Sequence, residues 1–195
     1  MKTFDFWFDF GSPAAYLAST QIAAMEKASG AKANWRPMLL GGVFQATGNS
    51  SPATVPAKGR YSFGDFSRFA KRYGVPLSVN PFFPINTLML MRGAAGMQRT
   101  APDRFPEYCR AMFSAIWIEA LNPTDPAILA GAIARAGFDP AAMMALCNDQ
   151  TTKDDLKAAT QLAVEKGVFG APTFFVGEEM FWGQDRIDFV LEALA

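Results

Sequence analysis

Two short segments at opposite ends of the chain carry the residues that could take part in chemistry. Near the amino end, Gly11-Ser12-Pro13 follows a run of aromatic residues, and near the carboxyl end Pro172 opens an apolar run. Ser12 occupies the position of a helix N-cap and Pro13 suits a first helical turn, so the pattern predicts a hydroxyl at a helix amino end. A proline that opens a buried strand often holds the backbone at a ligand.

The residue counts argue against several other kinds of site. The 195 residues include no histidine, which removes the Ser-His triad, the commonest general base and the commonest metal ligand. The two cysteines, Cys109 and Cys147, lie far apart and form no C-x-x-C pair. We therefore expect buried apolar cysteines, with no disulfide framework, dithiol redox centre or zinc site.

Charge and hydropathy give expectations about partners and location. The chain has 18 basic and 18 acidic residues and no basic stripe interleaved with aromatics, so nucleic acid is not an expected partner. No segment reads as a signal peptide and no apolar run has the length of a membrane span. We expect a cytoplasmic protein with no membrane partner.

The first part of the chain predicts a β-α-β unit followed by a loop. The aromatic residues 3–10 predict a strand, residues 13–29 a helix, and residues 33–38 a second, parallel strand reached by a right-handed connection. Residues 39–60 are rich in glycine, serine and proline, which predicts a long loop of functional importance.

The remainder predicts a helical segment and then a return to the sheet. Apolar residues recur at helical spacing almost throughout residues 62–166. Residues 172–177 predict a third strand, residues 179–181 a short fourth one and residues 184–194 a final helix. The pattern is that of a small α/β sheet with an all-helical insertion.

Three segments resemble one known family. Residues 8–18, Phe-Asp-Phe-Gly-Ser-Pro-Ala-Ala-Tyr-Leu-Ala, are similar to the amino-terminal signature of the 2-hydroxychromene-2-carboxylate isomerases and the related kappa-class glutathione transferases. Residues 167–174 resemble the cis-proline segment of this DsbA-like branch of the thioredoxin fold, and residues 181–186 its final turn. The resemblance implies an α/β, thioredoxin-like fold with a large all-helical insertion.

The pattern along the chain also predicts a domain division. Residues 1–61 and 167–195 would form the thioredoxin-like domain, and residues 62–166 the helical insertion. The last helix of the insertion, at about 150–166, would pack back on the sheet.

The resemblance also implies glutathione as the cofactor and a set of residues that hold it. Ser12 would be the catalytic residue, its hydroxyl donating to the glutathione sulfur at the helix amino end; otherwise it is only an N-cap. A cis Ala171-Pro172 bond would present the Ala171 backbone to glutathione, and a trans bond at a strand start is the alternative. Gln184 and Asp185 would hold the γ-glutamyl end, although Asp185 also suits a helix amino end.

Two further residues and a pair of aromatics extend this predicted site. Asn49 and Lys58 match family positions after the second strand, and Lys58 would offer a point charge to a glutathione carboxylate unless it is a solvated surface lysine. Phe82 and Phe83 either wall an apolar substrate pocket or pack in the core. Residues 88–91 that follow, Leu-Met-Leu-Met, read as core or interface.

The function implied by the resemblance is glutathione-dependent isomerisation in aromatic catabolism, between 2-hydroxychromene-2-carboxylate and trans-o-hydroxybenzylidenepyruvate. A thiolate would add to the conjugated carbon beside the ring, the new single bond would rotate, and elimination would release the other alkene. The alternatives are a kappa-type glutathione transferase or peroxidase and a non-catalytic glutathione-binding protein. Serine at position 12 argues against a thiol-disulfide oxidoreductase. A small aromatic substrate and a homodimer are the other expected partners.

Overall fold

The centre of the protein is a four-stranded mixed sheet, which the computed structural model describes together with the rest of residues 2–195. The strands, in the order β2-β1-β3-β4, are β1 (Thr3–Phe8), β2 (Lys32–Pro37), β3 (Thr173–Val176) and β4 (Glu179–Trp182). β1 pairs in parallel with β2 and antiparallel with β3, and β3 pairs antiparallel with β4. β1 is therefore an inner strand, and its alternate side chains Phe4, Phe6 and Phe8 are fully buried.

The predicted helix at 13–29 is two helices. The first is α1 (Pro13–Ser19) and the second α2 (Ile22–Ser29), which ends at Gly30 with φ +70°. The Ser19 hydroxyl bonds to the Tyr16 carbonyl and the Thr20 hydroxyl to the Leu17 carbonyl. Hydroxyls that bond to preceding carbonyls compete with the helical ladder, and the break follows directly after these two residues.

The long loop predicted at residues 39–60 is wrong, because most of this segment is helical. It contains α3 (Leu40–Thr47), a 3₁₀ turn at Pro52–Thr54 and the start of α4 (Pro56–Tyr73). Asp9 and Thr160 provide acceptors for the backbone N–H groups of Leu40 and Leu39 at the amino end of α3. These acceptors come from distant parts of the chain, and they stabilise a helix that local composition does not suggest.

A long helical segment separates β2 from β3, as the sequence predicts. After α4 come the helices α5 (Leu88–Thr100), α6 (Phe105–Trp117), α7 (Pro126–Arg135), α8 (Pro140–Asn148) and α9 (Gln150–Glu165). Side chains of Asp125, Asp139 and Asp149 cap the amino ends of α7, α8 and α9. α9 contacts β2, α3 and α5. Within residues 2–195, no single helix is long and apolar enough to cross a membrane. α7 and α8 taken together have the length and composition of a span, but a bend of 117° separates them.

The main core lies between the sheet and these helices. The rings of Phe8 and Phe10 pack on Phe113 of α6, and the Trp117 indole N–H donates to the Phe10 carbonyl at 2.7 Å. Cys109 and Cys147 are buried and unbridged, as expected. After β4 a 3₁₀ turn at Gln184–Arg186 leads into α10 (Ile187–Leu194), which packs on α2 and β3. The mixed sheet, with a long helical segment between β2 and β3, agrees with the predicted α/β, thioredoxin-like fold.

Candidate functional site

A cavity of about 530 Å³ lies where the amino end of α1 meets the loop before β3. Its lining also includes residues of α3, residues 49–53, the first half of α4, residues 83–87, the end of β4 and the turn that follows β4. We call one group of lining residues the Ser12 wall, made of Ser12, Ala171, Gln184 and Asp185, and a second group the aromatic wall, made of Phe44, Phe63, Phe66 and Phe83. Cavities of this size are typical of small-molecule sites.

Ser12 joins the two segments that the sequence singles out. Its hydroxyl accepts from the Ala15 N–H at 3.1 Å, which is the N-cap bond of α1, and donates to the Ala171 carbonyl at 2.8 Å. Only 6% of the residue is exposed. Ser12 is therefore a cap and also a bridge across 159 positions of sequence. A ligand that accepts a hydrogen bond from the Ser12 hydroxyl must replace the Ala171 carbonyl as its acceptor.

The Ala171-Pro172 peptide bond is cis, as predicted. Ala171 lines the cavity, whereas Pro172 is buried behind it and its carbonyl accepts from the Gly183 N–H at 3.0 Å. The backbone before β3 is thus tied to the turn after β4. A second cis bond, Phe83-Pro84, lies at the aromatic wall, where the sequence did not predict one.

Gln184 and Asp185 belong to the 3₁₀ turn and do not open the final α-helix, which begins at Ile187. Gln184 is buried, and its carbonyl accepts from the Tyr73 hydroxyl at 2.9 Å. Burial, with a smaller contribution from nearby carboxylates, raises the pKa of Tyr73 to about 12, so this hydroxyl remains a donor at neutral pH.

The Asp185 carboxylate reaches the cavity from a partly exposed position. Its Oδ2 lies 2.7 Å from Nη1 of Arg186, and its side chain is 38% exposed. Arg186 also lines the cavity. Asp185 therefore lines the cavity with an arginine already beside it, and its role in binding glutathione stays a prediction.

The two residues predicted after the second strand differ in their placement. Asn49 lines the cavity, and its side-chain amide donates to the Phe169 carbonyl at 2.8 Å. Lys58 is exposed in the first turn of α4, and it is Gly59, the next residue, that lines the cavity. A Cβ at position 59 would lie 3.2 Å from the Ala53 Cα. The structure thus groups Ser12, Asn49, Ala171, Gln184 and Asp185, and leaves Lys58 and Pro172 outside the lining.

Three of the four rings of the aromatic wall form a packed group around Phe63. The ring of Phe63 lies edge-on to Phe83 at 5.4 Å and to Phe66 at 6.0 Å, and Phe83 also packs on Trp117. Phe82 is half exposed and does not line the cavity. Phe83 therefore both lines the cavity and packs against the core, as the two hypotheses for this pair proposed. Phe82 does not line the cavity and is not a core residue.

Asp9 is a lining residue that the sequence analysis did not assign. Its carboxylate is buried and accepts from the backbone N–H groups of Gly11 and Leu40 and from the Thr87 hydroxyl. Burial raises the pKa of the Asp9 carboxyl above its ordinary value, against these hydrogen bonds, which lower it. An acidic residue between Phe8 and Phe10 in the aromatic run was the available signal, because a buried carboxylate requires donors.

Comparison with known proteins identifies relatives over nearly the whole chain. The family model of the DSBA-like thioredoxin domain matches residues 3–195. A 2-hydroxychromene-2-carboxylate isomerase of Sphingobium xenophagum is 31% identical over 97% of this chain and 96% of its own length. Glutathione S-transferase kappa 1 of Rattus norvegicus is 27% identical over 96% of this chain and 88% of its own. A solved 2-hydroxychromene-2-carboxylate isomerase superposes with a TM-score of 0.87 at 29% identity, covering 98% of this chain and 94% of that one.

Proposed function

The chain belongs to the DSBA-like thioredoxin domain family, with 2-hydroxychromene-2-carboxylate isomerases among its relatives, and from this premise we propose that it is a glutathione-dependent isomerase. The proposed reaction interconverts 2-hydroxychromene-2-carboxylate and trans-o-hydroxybenzylidenepyruvate. One observation supports it most: the Ser12 hydroxyl, at the amino end of α1, lines the same cavity as an aromatic wall. Such a cavity suits an anionic sulfur beside a flat aromatic molecule.

The lining of the cavity includes charged and polar side chains that could bind the charged groups of glutathione. Its ammonium group and carboxylates are complemented by Asp185, Arg186 and Asn49, which all line the cavity. The backbone of Ala171, in the loop that leads into β3, suits hydrogen bonding to an extended peptide. When bound, glutathione supplies a thiol whose reversible addition to a conjugated double bond permits rotation about that bond.

The chain itself would stabilise negative charge at Ser12 and exclude water at the aromatic wall. A hydrogen bond from the Ser12 hydroxyl and the partial positive charge at the amino end of α1 both favour an anion there. Hydrogen bonds to charged groups contribute about 1.5–3 kcal/mol. The rings of the aromatic wall would hold a flat substrate away from water.

A second candidate, suggested by the relatives named glutathione S-transferase kappa 1, is transfer of glutathione to an electrophile, and an uncharged aromatic electrophile would suit this cavity. Within the described chain, the cavity lining contains three charged side chains, those of Asp9, Asp185 and Arg186, and only Arg186 is cationic. Arg186 is already paired with Asp185. The carboxylate of the isomerase substrate would have to compete for this one arginine, whereas an uncharged electrophile would not.

A turnover assay with two substrates tests both candidates. Dialysed protein is given 2-hydroxychromene-2-carboxylate, or in parallel an uncharged chloronitrobenzene, each with and without glutathione. We expect isomerisation only with glutathione, and little conjugation. Conjugation without isomerisation would favour the transferase, and full isomerisation in a thiol-free preparation would contradict the role of glutathione.

A further inference from the structure

The Asp9 carboxylate connects three separate segments around the cavity. Its Oδ1 accepts from the Gly11 N–H at 2.8 Å and from the Thr87 hydroxyl at 2.7 Å, and its Oδ2 accepts from the Leu40 N–H at 2.8 Å. Asp9 is only 2% exposed. One buried side chain therefore joins the turn before α1, the amino end of α3 and the segment after the Phe83-Pro84 bond.

At α3 the carboxylate performs the task of a cap. Leu39, the N-cap residue, has no polar side chain, and Asp9 provides the acceptor for the first helical N–H, that of Leu40. α3 contributes Leu40, Gly41 and Phe44 to the cavity lining. The position of the aromatic wall thus depends in part on Asp9.

At α1 both the side chain and the main chain of Asp9 hold the turn that carries Ser12. The Ser12 N–H donates to the Asp9 carbonyl at 3.1 Å, in addition to the bond from the Gly11 N–H to the carboxylate. A Cβ at position 11 would lie 3.2 Å from Cγ2 of Thr87 and 3.4 Å from Oδ1 of Asp9. This close packing leaves the turn little room to shift relative to Thr87.

We propose that Asp9 is a positioning residue for the reaction, which sets the Ser12 hydroxyl at a fixed place relative to the aromatic wall. It acts through Ser12, α3 and Thr87 and does not itself touch the reacting atoms. The proposal rests on the proposed function for the identity of the ligands, and on the hydrogen bonds of Asp9 for the geometry. Misplacement of reacting groups by about 1 Å can lower a rate about a hundredfold.

Asp9→Asn is the first test, with Asp5→Asn as a matched control. The amide keeps the shape of Asp9 and an acceptor for Gly11 and Thr87, but turns an N–H donor toward the Leu40 N–H. Asp5 lies in β1, four residues before Asp9, and pairs with Arg36 outside the cavity lining. We expect kcat to fall about tenfold to a hundredfold in Asp9→Asn, with glutathione affinity changed less than about threefold. Asp5→Asn should leave both at the wild-type value.

A readout in the free protein separates positioning from mere stability. In Asp9→Asn the amide resonances of Leu40 and of Ser12 should shift in NMR spectra of the folded protein, in the absence of any ligand. A variant that is folded but less stable, with unchanged Ser12 resonances and unchanged kcat, would overturn the proposal. If the wild-type protein does not bind glutathione, the proposed function fails, and the Ser12 resonances alone decide the role of Asp9.

Thr87 supplies a second pair of variants in case Asp9→Asn does not fold. Thr87→Val removes one donor to the carboxylate and keeps the volume, and Thr87→Ser restores the hydroxyl. We expect a smaller fall in kcat in Thr87→Val, about threefold to tenfold, recovered in Thr87→Ser, because one of three hydrogen bonds is lost. Wild-type kcat in both Thr87 variants would count against a role for this network.

Discussion

The two walls of the cavity are held in place by different kinds of interaction. The Ser12 wall depends on hydrogen bonds to backbone atoms, such as the Ser12 hydroxyl on the Ala171 carbonyl and the Tyr73 hydroxyl on the Gln184 carbonyl. The aromatic wall depends on ring packing, with the ring of Phe63 in contact with both Phe66 and Phe83. Hydrogen bonds are directional, whereas apolar contact is not.

This difference separates two tasks that the cavity would have to perform. A directional wall fixes the place of one atom, which suits the stabilisation of a charge. A wall of rings tolerates changes of shape more readily, which suits selection among flat substrates. Variants in the Ser12 wall should therefore alter turnover or glutathione binding, and variants in the aromatic wall should alter substrate affinity.

The largest effect is expected at Ser12. Ser12→Ala removes the N-cap of α1, the bridge to Ala171 and the donor for an anionic sulfur. We expect turnover to fall about tenfold to a hundredfold, since a hydrogen bond to a charged group contributes about 1.5–3 kcal/mol, and unfolding free energy to fall by about 0.5–2 kcal/mol. Ser12→Thr keeps a hydroxyl and should retain the cap. Steady-state kinetics and thermal unfolding measure the two losses, and wild-type turnover in Ser12→Ala would leave Ser12 as a cap alone.

Phe83 tests the aromatic wall, and its neighbour Phe82 serves as the control. Phe83→Ala removes a ring that lines the cavity and packs on Phe63 and Trp117, so we expect KM for the aromatic substrate to rise about tenfold. Glutathione affinity should stay constant. The half-buried ring should also contribute about 1–3 kcal/mol to folding, less than a fully buried one. Phe82→Ala, at a half-exposed side chain, should change neither KM nor stability. Equal effects of the two variants would contradict the assignment of Phe83, and not Phe82, to the cavity lining.

Asp185→Asn should weaken glutathione binding without slowing the bound complex. The carboxylate is 38% exposed and already paired with Arg186, so we expect an effect of at most about 1 kcal/mol, or about fivefold in affinity. Asp188→Asn, three residues further along at an exposed position of α10, is the matched control. Calorimetric titration with glutathione measures both. Unchanged affinity in Asp185→Asn, or an equal loss in Asp188→Asn, would contradict this placement.

Lys58 should give the smallest effect. Its side chain is exposed and does not line the cavity, so Lys58→Ala should weaken glutathione binding by about twofold at low salt and less at high salt. Lys71→Ala, at another exposed position of the same helix, provides the comparison. Glutathione titrations at two ionic strengths measure the difference. A large, salt-independent loss in Lys58→Ala would show a direct contact that the position of the side chain does not suggest.

The Ser12 wall could be predicted from sequence because its signals are local. Ser12 before Pro13 gives a capped helix, and the segment around Pro172 and the turn at Gln184 match family patterns closely enough to be assigned by residue. The cis bond at Ala171-Pro172 is confirmed. The glutathione-binding and catalytic roles of these residues stay predictions.

The aromatic wall and Asp9 were harder to predict because long-range contacts determine them. α3 lacks a local cap and is completed by Asp9 and Thr160, which lie 31 and 121 positions away from their partners. Composition alone therefore favoured a loop at residues 39–60. The same long-range bonds give Asp9 its place, and no pattern of neighbouring residues indicates which donors a buried carboxylate will meet.

Trp182 packs against Gly170 at the cavity, so its fluorescence can report ligand binding. The indole lies so close that a Cβ at position 170 would be 2.5 Å from its Nε1, and its ring also packs on Phe169 at 5.0 Å. Trp7 and Trp117 are buried, Trp35 lies in a groove elsewhere, and Trp182, 48% exposed, is the one of the four tryptophans that lines the cavity. Indole emission depends on contact with water. The fluorescence of Trp182 should therefore change when the cavity fills, so that ligand affinity can be followed without a label.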